Sequence, residues 1–254
     1  MIKIVFICHS EELVKKLYNT YENPTILFVG LNSLDKTVYP DVIIVRDLQD
    51  NIEYEKSLLT FTAWYAIIKN NLFKDEEHLC ILEYDVKLDK NFKENLDSLL
   101  QNDKEIDVIS FIKADEFLCI DVNYNILCSF IESKGEKYTD ITEWYATTNH
   151  CIKRTVLKEF VDWYYPDYLQ IKNAHPQKLA FYHERLFYYY INSKNFKNVY
   201  MEGLEHFYNN SHGYYTTIKL EDLLASYTID NENDEESDEE SDEESDEESD
   251  EYYV

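Results

Sequence analysis

Short, almost unbroken apolar runs that each stop at polar residues constrain this chain more than anything else. Residues 2–8 stop at His9-Ser10, residues 25–29 at Gly30-Leu31-Asn32, and residues 42–45 at Arg46-Asp47. Residues 79–82 run into Glu83-Tyr84-Asp85, and residues 108–112 form a fifth run. Runs this short, rich in Ile, Val and Phe, read as strands, and strands apolar on both faces belong to a parallel sheet covered by helices. Helix-like segments alternate with them. Residues 11–21 form one, broken by Pro24, and residues 53–70 read as a second, apolar almost all round and hence buried. Residues 91–100 are amphipathic, with Phe92, Leu96, Leu99 and Leu100 on one side. The alternation predicts an α/β fold.

The later part reads differently. Residues 117–131 are expected to add one or two further strands. Residues 154–164 carry Val156, Leu157, Phe160, Val161 and Tyr164 at helical spacing, ended by Pro166, and residues 179–191 form a strongly apolar helix. From Asp230 onward there are 16 acidic residues and no Lys or Arg, including four repeats of Asp-Glu-Glu-Ser. Such a segment buries no core, so residues 230–254 are expected to be a solvated, self-repelling tail. The remaining 229 residues are ample for one well-buried domain, and the 23 tyrosines, 13 phenylalanines and three tryptophans suit it.

Composition also excludes. The 24 basic residues form no stripe that would neutralise phosphates, so nucleic acid is not an expected partner. No two of the four glycines make a GxG, which removes a Rossmann fingerprint and a Walker A loop in their usual forms. No apolar stretch is long enough for a membrane span, and the start does not read as a signal peptide. The five cysteines, Cys8, Cys80, Cys119, Cys128 and Cys151, form no CxxC and read as buried reduced thiols of a cytoplasmic protein.

Glu83-Tyr84-Asp85 is the clearest chemical candidate. Two carboxylates lie two residues apart after a buried strand, so both can face one ion at the edge where open α/β sheets bind ligands. Oxygen donors of this kind suit Mg²⁺ or Mn²⁺. The same triplet also reads as a solvated acidic turn. His183-Glu184-Arg185 interrupts an apolar helix: either Glu184 and Arg185 form an internal pair, or Glu184 faces a cleft as a base or acceptor clamp. His206 and Ser211-His212-Gly213 offer late histidines. Trp144-Tyr145 with Thr147, Thr148 and Asn149 combines ring faces with hydrogen-bonding groups, which suits a sugar and also ordinary packing. Tyr188 to Tyr190 and Tyr214-Tyr215 read as exposed, lining a homodimer contact or an acceptor groove.

The chain resembles GT-A-type glycosyltransferases. The strand ending Cys80-Ile81-Leu82-Glu83-Tyr84-Asp85 is similar to their DxD element, with Glu83 in place of the first Asp. Residues 58–70 are similar to the helix before the metal strand in capsular-polysaccharide-type glycosyltransferases. Residues 148–154, 160–164 and 184–186 are similar to the acceptor-side segments of those enzymes. The many Asn, Lys, Ile and Tyr residues with an acidic tail are similar to enzymes of large DNA viruses, which implies a host-cytoplasmic or virion-associated location.

The resemblance implies one GT-A-like domain over residues 1–229, a Rossmann-like, mostly parallel sheet flanked by helices. Residues 1–115 would be its nucleotide-sugar half and residues 116–229 its acceptor half. It implies a metal-dependent transferase that moves a sugar from a nucleotide-sugar donor, a UDP-sugar, to a glycan or other hydroxyl acceptor. Asp85 and Glu83 would hold Mn²⁺ or Mg²⁺, with His212 as a third ligand. His9, Ser10, Gly30, Asn32, Thr60, Trp64, Glu83 and Tyr84 would meet the donor. Trp144, Tyr145, Thr148, Asn149, His183 and Arg185 would meet the acceptor, with Glu184 and Asp85 catalytic. Two rivals remain at the level of sequence: a non-catalytic interaction protein whose acidic tail binds a basic partner, and a metal-dependent phosphoryl or nucleotidyl transferase using Asp85.

Overall fold

The computed structural model describes residues 2–30, 32–114, 117–118, 122–141, 144–145 and 147–206. The acidic segment 230–254, His212 and Tyr214-Tyr215 lie outside the described residues. The first strand, β1 (Ile2–Cys8), leads into α1 (Glu11–Thr20). Ser10 caps that helix, its hydroxyl accepting the Leu13 N–H at 3.4 Å, and Glu11 and Glu12 complement the positive end of the helix dipole. Then come β2 (Ile26–Phe28), β3 (Ile43–Ile44), α2 (Thr60–Lys69), β4 (His78–Glu83), β5 (Val86–Leu88) and α3 (Phe92–Asn102). Beyond them lie β6 (Val108–Ser110), β7 (Lys113–Ala114), α4 (Tyr124–Ser133), β8 (Trp144–Tyr145), β9 (His150–Lys153) and α5 (Arg154–Tyr164). The last described elements are α6 (Tyr168–Ala174), α7 (Leu179–Ser193), β10 (Asn198–Tyr200) and β11 (Leu204–His206).

The main sheet has seven strands in the order β10-β6-β9-β4-β1-β2-β3. All pairings are parallel except those of β9, which runs antiparallel between β4 and β6. Two small antiparallel pairs, β11 with β5 and β7 with β8, lie beside it. From β1 the chain goes to β2 on one side and later returns to β4 on the other. That is a topological switch point, where the carboxyl ends of strands open a crevice. The helices α2, α5 and α7 pack on one another through aromatic rings: Trp64 lies 5.0 Å from Phe187, and Phe160 meets both of them. Among the described residues no helix is long and apolar enough to cross a membrane.

Three readings of the sequence change. Residues 124–133 are helix, not strand. Asn123 caps them by accepting the N–H groups of Asn125 and Ile126, and Leu127, Phe130 and Ile131 make one buried face at helical spacing. The helix expected over 53–70 begins only at Thr60, because Leu59 sits at φ 44°, ψ −120°, a conformation no α-helix contains. Tyr188, Tyr189 and Tyr190 are buried rather than exposed: α7 lies inside the helical layer, so even its tyrosines are enclosed. The cysteines within the described residues are free thiols, and Cys119 lies outside them.

Candidate functional site

The switch point sets the site. In the register of β1 and β4, Ile7 pairs with Glu83, so the residues just past both strands emerge side by side. A cavity of about 220 Å³ opens there, lined by Ile7, His9, Thr60, Glu83, Tyr84 and Asp85 among others. The structure therefore brings both carboxylates of the acidic triplet to one pocket. Thr60, at the start of α2, donates its hydroxyl to Glu83 Oε1 at 2.5 Å. The ring of Tyr84 meets His9 edge to face at 4.7 Å. Asp85 is only 5 % exposed. Its charge faces Lys16 of α1, whose ammonium is pushed down to about 8 by burial, against the opposing pull of Asp85.

A neighbouring cavity of about 250 Å³ shares His9, Val29 and Leu59 with the first and adds Gly30, Asn32, Glu53, Glu55 and Thr62. Asn32 donates its side-chain amide to the His9 carbonyl at 2.6 Å, which ties together the turns after β1 and β2. Gly30 sits at φ +89°, so its N–H turns toward Glu53 and donates to Oε2 at 2.7 Å. Glu53 is 6 % exposed, and burial pushes its carboxyl upward, against the Gly30 hydrogen bond and the charge of Arg46. Glu55, also buried, is held by Lys172 and by Ser57.

The expected donor residues divide. His9, Gly30, Asn32, Thr60, Glu83 and Tyr84 line the two cavities. Ser10 instead caps α1. Trp64 is wholly buried in the aromatic layer beside Phe160, His183 and Phe187, so the structure does not bring it to the pocket. His183 shares that layer, packed near Phe61, Trp64 and Tyr164, and burial lowers its pKa to about 3.

The expected acceptor residues form a connected cluster. Arg185 lies 4.5 Å over the Trp144 ring, donates to the Phe117 carbonyl and pairs with Glu184 at 2.6 Å. Glu184 Oε1 also accepts the Thr147 N–H. Of the two readings open for this pair, the geometry fits the internal ion pair: Arg185 and Glu184 are 2 % and 8 % exposed, and each oxygen of Glu184 is engaged. Thr147 itself is at φ 69°, an uncommon state for a β-branched residue. Its hydroxyl accepts from the backbone and the side chain of Asn149. Asn149, fully buried, in turn accepts the Glu83 N–H at 2.7 Å. Thr148 is buried, and Tyr145 stacks on Tyr200 at 5.7 Å.

Residues 147–149 thus hold the acidic triplet from behind. His206 ends β11, and His212, the third ligand expected of the resemblance, lies outside the described residues. Among the described residues no group of three His, Cys, Asp or Glu side chains converges as a metal cluster. Sequence reading missed Glu53, Glu55 and Thr62. Their only signal was Glu53-Tyr54-Glu55, a spacing of carboxylates that mirrors Glu83-Tyr84-Asp85.

No family model matches the chain, and no curated protein does. Solved structures do match. The bifunctional glycosyltransferase WbbM, in its apo structure, aligns with TM-score 0.53 at 13% identity, covering 85% of this chain and 47% of its own. This chain therefore spans about half the length of that protein. Mouse xyloside xylosyltransferase 1, apo form, aligns with TM-score 0.45 at 8% identity, over 79% of this chain and 85% of its own. A glycosyltransferase involved in the glycosylation of the major capsid of PBCV-1 aligns with TM-score 0.39 at 12% identity, over 79% of this chain and 82% of its own. The mostly parallel sheet flanked by helices, with its crevice between β1 and β4, is a GT-A-like α/β domain, resembling GT-A-type glycosyltransferases in fold.

Proposed function

We propose that this chain is a metal-dependent glycosyltransferase that moves a sugar from a nucleotide-sugar donor, a UDP-sugar, to a hydroxyl acceptor such as a glycan. One observation carries the reading: Glu83 and Asp85 share a pocket at the switch point with His9 and Thr60, and the nucleoside-sized cavity beside it is lined by the turns after β1 and β2. The fold supports it independently.

The donor set fits a hard divalent cation. Mg²⁺ and Mn²⁺ take oxygen ligands and commonly use only one or two carboxylates, with water and substrate phosphates completing the shell. Asp85 and Glu83 would hold it. When bound, the ion neutralises the charge that grows on a diphosphate leaving group. The chain's own residues do the rest. Thr60 fixes the rotamer of Glu83, and Asn149 fixes its backbone. Lys16 compensates the charge of Asp85 from the α1 side. The apolar walls, Ile7, Val29 and Leu59, limit water around the reacting bond. With both its oxygens engaged, Glu184 is read as a positioning residue for 147–149 rather than as the base.

The test is release of nucleoside diphosphate from a panel of nucleotide sugars, with and without Mn²⁺, for the wild type and Asp85→Asn. Metal-dependent turnover that falls at least about a hundredfold in the variant supports the reading. Turnover undiminished in Asp85→Asn, or absent with every nucleotide sugar, overturns it.

A further inference from the structure

Glu53 lies at the end of the site away from the acidic triplet, on the wall of the larger cavity. It is 6 % exposed, and its Oε2 is spent on the Gly30 N–H at 2.7 Å. Its Oε1 has no hydrogen-bond partner and is shielded from water. An acceptor oxygen buried without a partner is costly and rare, and it calls for a donor that the chain itself does not supply. The carboxylate is not loosely placed. Its own N–H is held by the Asn51 side chain at 3.3 Å, and Asn51 also donates to the Leu48 carbonyl at 2.9 Å. Glu53 lines the 250 Å³ cavity together with His9, Gly30, Asn32 and Thr62.

We propose that Glu53 Oε1 reads the nucleobase of the donor by accepting one ring N–H, and so selects a uracil-type imide. The inference rests on the nucleotide-sugar reading above. With Oε2 already engaged, Glu53 presents a single acceptor. Two vicinal ribose hydroxyls, or the paired N1–H and N2–H of guanine, call for two. A single imide N–H calls for one. Cytosine presents a lone pair at the same ring position, and a lone pair facing a carboxylate oxygen is repelled.

The chemistry makes Glu53→Gln diagnostic. Gln has one acceptor and one donor where Glu has two acceptors. The Gly30 N–H and the imide N–H are both donors, so Gln satisfies only one. Turned to satisfy Gly30, its amide donates into the pocket, which suits the cytosine ring nitrogen.

Calorimetric titration of the full chain with UDP, CDP, 2′-deoxy-UDP and N3-methyl-UDP, each with Mn²⁺, tests this. The expected result is wild-type preference for UDP over CDP, loss of binding on N3-methylation, and a shift of the UDP/CDP ratio by at least tenfold toward CDP in Glu53→Gln. An unchanged ratio in a folded Glu53→Gln overturns the assignment of Glu53 and leaves the transferase intact. Wild-type protein that binds N3-methyl-UDP as tightly as UDP overturns it without any variant. Selection against 2′-deoxy-UDP that disappears in Glu53→Gln overturns it in favour of the ribose. Failure of every nucleotide to bind the wild type overturns the transferase reading itself.

Discussion

The side-chain oxygen of Asn149 accepts the backbone N–H of Glu83 at 2.7 Å, across 66 positions of sequence. Without it, the first carboxylate of the acidic triplet would leave β4 with its N–H buried and unmet. Asn149→Ala is therefore expected to cost about 1–3 kcal/mol of stability, the desolvation penalty of an unpartnered buried group. Urea denaturation measures that loss. Donor turnover is expected to fall as well, because Glu83 loses its fixed position.

Glu184 and Arg185 give a second, sharper expectation. Removing one partner of a buried ion pair leaves the other charge uncompensated, and typically costs about 3–5 kcal/mol. Glu184→Ala should show that loss in denaturation, and the Thr147 N–H should lose its acceptor. Replacing both residues with apolar ones of similar volume should recover much of it. If Glu184→Ala instead keeps full stability and loses only kcat, the residue is the catalytic base and not a positioning group.

Leu59 lines both cavities, is 58 % exposed, and sits at φ 44°. That backbone is strained for any residue with a Cβ, at about 1–3 kcal/mol. Leu59→Gly is expected to stabilise the fold by about 1 kcal/mol while weakening donor binding, because the apolar wall is lost. A thermal melt and a titration with nucleotide together check the opposite signs.

Two fully enclosed histidines set an acid-side dependence. Burial lowers His150 to about 4 and His183 to about 3. Above about pH 6.5 each is neutral in both folded and unfolded chains, so neither makes stability depend on pH. As pH falls below that, the unfolded chain takes up protons that the folded chain refuses. Stability should then drop by up to about 1.4 kcal/mol per pH unit for each histidine, down to the folded pKa. His183→Phe keeps a ring among Phe61, Trp64 and Tyr164 and should flatten this slope between about pH 6 and 5, as read from urea midpoints.

How much of this was legible in the sequence depended on length and periodicity. The helix over 154–164 is found at its predicted bounds, because its apolar residues repeat strictly at helical spacing. The parallel strands and their polar ends were equally plain, and with them the placing of Glu83, Asp85, His9 and Gly30 around one crevice. The strand β9 was not, since His-Cys-Ile-Lys is too short and mixed to show a period. Residues 124–133 carry the aromatic and aliphatic types that strands favour, and the helix signals were the Asn123 cap and the spacing of Leu127, Phe130 and Ile131. Trp64 and Thr60 share one motif four residues apart, yet one is core and the other touches Glu83. Residues four apart share a helix face, so position along α2 separates them: Thr60 opens the helix beside Glu83, while Trp64, one turn on, is enclosed by Phe160 of α5 and Phe187 of α7, far away in sequence.

The reversed direction of β9 has a consequence in time. Because it runs antiparallel to β4, it begins where β4 ends and delivers residues 147–149 to the same edge. A chain emerging during synthesis can pair β1, β2 and β4 before β9 exists. That edge closes only when the distant segment pairs beside β4, a long-range step that comes late in folding. An incomplete chain would therefore carry the carboxylates but not their anchor. The edge is thus finished by the sheet itself: a fragment that stops short of residue 149 lacks the side chain that meets the Glu83 N–H.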